Sequence, residues 1–175
     1  NPLLQEWDTP FQTAPFEKIK VEHYLPAFEA AIAEHDKEIQ AIIDNAEAPT
    51  FDNTIAALDY SGQTLTKVAG VFYNMMAANT SEELQKVNEQ IGPMMATHSD
   101  NVSMNAKLFE KIKAVYDAKD SQKYTGEQLA LLEKTYKQFV RSGALLDAEK
   151  QAELREVNAE LTKVEAKFDA NLLKE

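Results

Sequence analysis

The sequence predicts an all-α fold, and three observations lead there. Apolar residues recur at alternating spacings of three and four along most of the chain, the period of one helix face. Gly (5) and Pro (6) are few for 175 residues, while Ala and Glu abound, a balance that favours helices over turn-rich β-sandwiches. Strand alternation and hairpin signals do not occur. Hydrophobic residues make up 44%, enough for a core, and the length suits one domain. The expected architecture is a bundle of about six helices over residues 21–175, preceded by an extended Pro/aromatic arm over residues 1–20.

The arm carries Pro2, Pro10 and Pro15, a density that prevents a helix. Trp7, Phe11 and Phe16 between them suggest a strap lying across a hydrophobic surface. The first helix bears the seam Leu25, Phe28, Ile32, His35, Ile39 and Ile42, with Pro26 in its first turn. After a break at residues 45–49, Thr50 is the N-cap expected for a second helix over residues 51–79, seamed by Ile55, Leu58, Gly62, Leu65, Ala69, Phe72 and Met76. Residues 68–76 of that helix are apolar on more than one side, as in a central helix surrounded by neighbours; the alternative is a side that docks onto something absent. Thr80 and Glu83 form a capping-box pair for a third helix along Leu84, Val87, Ile91, Met94 and His98, which Gly92-Pro93 should kink or break. Asn105 caps a helix carrying Leu108, Ile112 and Val115. Thr125 and Gln128 open the next, with Leu129, Leu132, Tyr136 and Phe139, and Gly143 suits its C′ position. Asp147 caps the last helix, whose seam is Leu154, Val157, Leu161, Val164 and Phe168. It runs to Leu172-Leu173-Lys174-Glu175 without Gly, Pro or Asn to end it, which suggests a chain cut inside or just after a helix. A start at Asn1 rather than Met likewise suggests a trimmed N-terminus.

Composition excludes several kinds of chemistry. With 18 Lys+Arg against 29 Asp+Glu the formal net charge is −11, which repels a phosphate backbone, so nucleic acid is not an expected partner. No Cys means no disulfide, thiolate metal site or cysteine nucleophile, and leaves the compartment open. The longest uncharged stretch, residues 68–81, is short of a membrane span, so no membrane is expected. His35 and His98 fall on apolar seams, the ordinary place for a core or boundary histidine, and His23 at the first helix start can position that helix. His35 and Glu38 have a metal-compatible spacing, but catalytic zinc needs a third ligand and no second cluster exists. His-Glu-x-x-His is absent, as are Gly-x-Ser-x-Gly, the P-loop and the dinucleotide fingerprint. Positions three before each histidine are Lys20, Ile32 and Met95, which excludes a carboxylate di-iron bundle. The acid pairs Glu82-Glu83 and Glu153-Glu156 read as helix-start or solvated charges, and Tyr73, Tyr116, Tyr136 and the Met75-Met76 and Met94-Met95 pairs as packing. No catalytic, cofactor-binding or metal-binding residue is assigned.

Certain runs of residues are more informative. Asn1-Pro2-Leu3-Leu4, Pro15-Phe16-Glu17-Lys18-Ile19-Lys20 and Glu22-His23-Tyr24-Leu25-Pro26-Ala27-Phe28 come first. Pro49-Thr50-Phe51-Asp52-Asn53-Thr54-Ile55-Ala56-Ala57-Leu58, Ser61-Gly62, Val71-Phe72, Ala78-Asn79-Thr80 and Phe139-Val140-Arg141-Ser142-Gly143-Ala144 follow in order. Together they resemble the N-terminal region of thimet-oligopeptidase-type zinc metallopeptidases, most of all the bacterial peptidyl-dipeptidase (dipeptidyl carboxypeptidase) branch, with oligopeptidase A as a close relative. The resemblance implies a helical domain forming part of one wall of a channel for short peptides, in a longer parent whose zinc, general base and catalytic domain lie downstream. The parent would release dipeptides from free peptide C-termini, and this chain alone would be inactive and bind no zinc. It would act in the bacterial cytoplasm or periplasm. Its partners would be the absent catalytic domain and peptide substrates; candidates for apolar area that the downstream helices would cover are the surplus face of the second helix around Val71 and Met75, unless these residues belong to the bundle's own core, and the end of the last helix at Phe168, Leu172 and Leu173. The alternatives are a stand-alone acidic helical interaction module without enzymatic activity, and an unrelated ligand-binding bundle.

Overall fold

The computed structural model describes residues 1–172, apart from the side chains of residues 169, 170 and 172. Short 3-10 turns joined by extended residues make up the arm. Then come α1 (Tyr24–Asp44), a π-helical turn (Phe51–Ala56) running into α2 (Ala57–Tyr60), α3 (Gln63–Ala78), α4 (Glu82–Ser103), α5 (Ala106–Asp117), α6 (Gly126–Arg141) and α7 (Ala148–Leu172). Among the described residues there is no strand, as the helical periodicity predicts.

The caps follow local sequence closely. Thr50 Oγ1 accepts from the Asn53 N–H at 3.1 Å, and the Thr50 N–H donates back to Asn53 Oδ1 at 2.8 Å. Asn105 Oδ1 accepts from the Leu108 N–H at 3.0 Å, and Asp147 Oδ1 from the Lys150 N–H at 2.8 Å. Thr125 and Gln128 close the reciprocal box. Each satisfies N–H groups that a helix start leaves unpaired. Gly143, at φ +93°, ends α6 as expected.

Two expectations fail locally, and of the kink or break expected at Gly92-Pro93 the break does not occur. The second helix is not continuous over residues 51–79, because Gly62 adopts φ +72° and separates α2 from α3. The Ser61 hydroxyl donates to the Leu58 carbonyl at 2.7 Å and closes the first segment. α4 is capped by Ser81, whose Oγ accepts from the Leu84 N–H at 3.2 Å, and not by Thr80. α4 also continues through Pro93 without a break. A proline withdraws one hydrogen bond, and the turn before it is held by the fully buried Ile91.

The chain divides into two compact units. One comprises residues 1–36, 62–96 and the chain from 159 onward. Its core joins Leu3, Tyr24, Phe28, Val68, Phe72 and Ile91, with Trp7 and Met75 packed at the edge. Tyr24 and Phe28 meet Phe72 edge-on, with centroids 5.0 and 5.5 Å apart, the geometry aromatic quadrupoles favour. Leu3 and Trp7 thus bind the arm to this core, whereas Phe11 and Phe16 face solvent rather than the expected apolar surface. The Trp7 indole N–H donates to the Pro2 carbonyl at 2.9 Å, and Lys67 Nζ stands 5.1 Å from its ring centroid.

The other unit comprises residues 37–61 and 97–158. Ile39, Ile42, Ile55, Leu108, Ile112, Leu132 and Phe139 form its core. Phe109 and Tyr136 stack at 5.7 Å, and Tyr116 and Tyr136 at 3.9 Å.

Candidate functional site

The histidines occupy structural positions. His23 Nδ1 accepts from the Lys20 N–H at 3.0 Å, holding the turn that leads into α1. The His35 ring lies against Gly62, where a Cβ would approach it to 3.2 Å. His98 is buried within α4. Among the described residues no group of three or more His, Asp or Glu is placed to hold a metal ion. Val71, a docking candidate from sequence, is 8% exposed and belongs to the core, with Met75 packed beside it. Of the surplus apolar face of that helix, Val71 is thus buried and Met75 partly so, while Tyr73 is exposed. Leu172 and Leu173 fall outside the described side chains.

The first unit holds a cleft of about 540 Å3 among α3, α4 and α7, lined by Tyr73, Asn88, Glu89, Pro93, Lys163 and Lys167 among others. Burial raises the pKa of the Tyr73 hydroxyl, which is therefore a proton-bearing donor at neutral pH. Charges of both signs line the walls, Glu89 and Glu165 against Lys163 and Lys167.

The last helix departs furthest from expectation. Its apolar row was expected to pack, yet Val157 (61%), Leu161 (51%), Val164 (55%) and Phe168 (65%) are exposed. Polar and small residues face inward instead. In the second unit, the Gln151 amide donates to the Gly143 carbonyl at 3.1 Å, Arg155 to Asn101 Oδ1 at 3.0 Å, and Asn158 to the buried Asp100 carboxylate at 2.8 Å. In the first unit, Thr162 approaches Gly92 closely, its methyl 3.3 Å from where a Cβ would stand. The Asp100 cluster joins residues far apart in sequence and leaves no local motif.

The sequence model of the neurolysin/thimet oligopeptidase N-terminal domain matches residues 28–151. The chain belongs to this family. Dipeptidyl carboxypeptidase of Salmonella typhimurium is 36% identical over 173 residues, 99% of this chain and 25% of that protein. Its Escherichia coli counterpart is 35% identical with the same coverage. Oligopeptidase A of Escherichia coli is 26% identical over 176 residues, 99% of this chain and 25% of its own. The chain therefore spans one quarter of the length of these relatives. The family resemblance carried by the ordered runs holds, and of these relatives the dipeptidyl carboxypeptidases are the more similar. Among the described residues, no helix is long and apolar enough to cross a membrane.

Proposed function

We propose that residues 21–175, after the arm of residues 1–20, are the helical N-terminal domain of a longer zinc metallopeptidase acting on short peptides. The parent releases dipeptides from free C-termini, and this domain forms part of the wall of the channel that admits them. The supporting observation is similarity over 99% of this chain to dipeptidyl carboxypeptidases four times its length, together with the domain family matched. Zinc in such a peptidase activates water for attack on the peptide carbonyl. On this reading the zinc ligands and general base belong to the downstream catalytic part of the parent. The domain supplies shape and packing, and the parent works in the bacterial cytoplasm or periplasm.

The parent should release dipeptides from unblocked peptides, lose activity with a chelator and spare C-terminally amidated peptides. Equal cleavage of amidated peptides at internal bonds would move the parent to an oligopeptidase. The 175-residue chain, dialysed and analysed for metal, should hold no stoichiometric zinc and cleave neither peptide.

A further inference from the structure

We propose that the outer row of α7, formed by Leu161, Val164 and Phe168, is the docking surface for a helix of the chain that follows Glu175 in a parent of the relatives' length. The inference rests on the preceding reading, which supplies that downstream chain. Spacings of three and four place these residues on one stripe, and they are 51%, 55% and 65% exposed. That is the seam pattern of paired helices, in which apolar side chains interdigitate with a second apolar row. Thr162 and Ala166 turn inward in their place, so the stripe is not what holds this part of α7 to the first unit. An apolar row left in water is the unusual arrangement, and it marks a partner surface.

The occupant follows from shape, length and charge. A row on the outside of a helix is a ridge, which fits the groove of another helix and not an extended peptide, whose binding calls for a concave site. The relatives carry three quarters of their length outside the matched part, ample chain to supply such a helix. A second copy would bring together two chains of formal net charge −11, which repel one another.

The sequence has no cysteine, so single thiols report cleanly. V164C, E156C as a solvent reference and V68C as a buried reference are prepared both in the 175-residue chain and in the parent. Maleimide labelling is followed by mass spectrometry of the peptide concerned. The V164C thiol should react at least about tenfold more slowly in the parent than in the 175-residue chain, with E156C fast and V68C slow in both. Equal V164C rates in the two overturn the proposal, as does concentration-dependent protection in the 175-residue chain, which would make a second copy the occupant. Should V68C react fast in the shorter chain, the comparison is V164C against E156C within the parent, and equal rates there overturn the proposal. Peptide hydrolysis is measured on the same samples. A parent that hydrolyses peptides while V164C stays reactive defeats the docking alone, and a protected V164C without hydrolysis defeats the peptidase reading alone.

Discussion

Gly62 and Gly70 respond oppositely to the same added methyl group. At Gly62 the backbone has φ +72°, and a Cβ would come within 3.2 Å of the His35 ring. Gly62→Ala should cost about 1–2 kcal/mol, strain and crowding acting together. Gly70 lies inside α3 with nothing within 4 Å of its Cβ position, so Gly70→Ala should gain about 0.5–1 kcal/mol through helix propensity. Urea unfolding of both variants checks the pair, and a destabilised Gly70→Ala would contradict the open environment. Tyr24 gives a pH dependence. Burial raises its pKa above the usual 10.0, so the unfolded chain gives up this proton at lower pH than the folded one. The associated stability is intact below pH 10.0 and is lost as pH rises through the folded value. In alkaline titrations the unfolding midpoint of the wild type should therefore fall more steeply than that of Tyr24→Phe; parallel curves would remove the effect.

Whole helices differ in which face they can lose. Val71→Glu places a charge in the core of the first unit and should cost about 3–5 kcal/mol, while Val164→Glu in the 175-residue chain should stay within about 0.5 kcal/mol of wild type. Denaturant midpoints distinguish the two directly, and equal losses would mean that the outer row of α7 is packed after all. Sequence reveals some of this and hides the rest for a physical reason. Thr50, Asn105, Thr125 and Asp147 are legible as caps because the N–H groups they serve lie three residues away. The break at Gly62 is not, since a glycine also fits a small position on a helical seam, and only the tertiary approach of His35 shows why it is there. In α7 the periodicity correctly marks an apolar face but cannot say what covers it. The inward face is decided by Arg155 and Asn158 reaching Asn101 and Asp100, contacts with no sequence-local signature. For the candidate site no motif marks a position, and the cleft beside Tyr73 draws its lining from the consecutive helices α3 and α4 together with α7, far along the sequence.

Across the described residues, the helices bury two apolar clusters, one in each unit; periodicity tells which face of a helix is apolar and not which helices share a core. Charge acts on the whole. The ion pairs Lys137–Glu133 and Lys150–Glu153 lie on exposed helix faces and contribute little, whereas the net −11 repels itself throughout. Raising sodium chloride from low levels to about 0.15 M should therefore raise the thermal midpoint by screening. A fall would mean that the surface pairs outweigh the repulsion. The arm carries a further consequence, for proteolysis. Phe11 is 99% exposed and, like Gln12, holds a positive φ, so a chymotrypsin-type protease meets an unobstructed aromatic cleavage point at a chain end. A nick there would cut the strap covalently and leave residues 1–11 attached through Leu3, Trp7 and the hydrogen bond from the Asn1 amide to the His23 carbonyl. Trp7 is the sole tryptophan, so the share of indole fluorescence that still co-elutes with the large fragment would measure how firmly that severed strap is held.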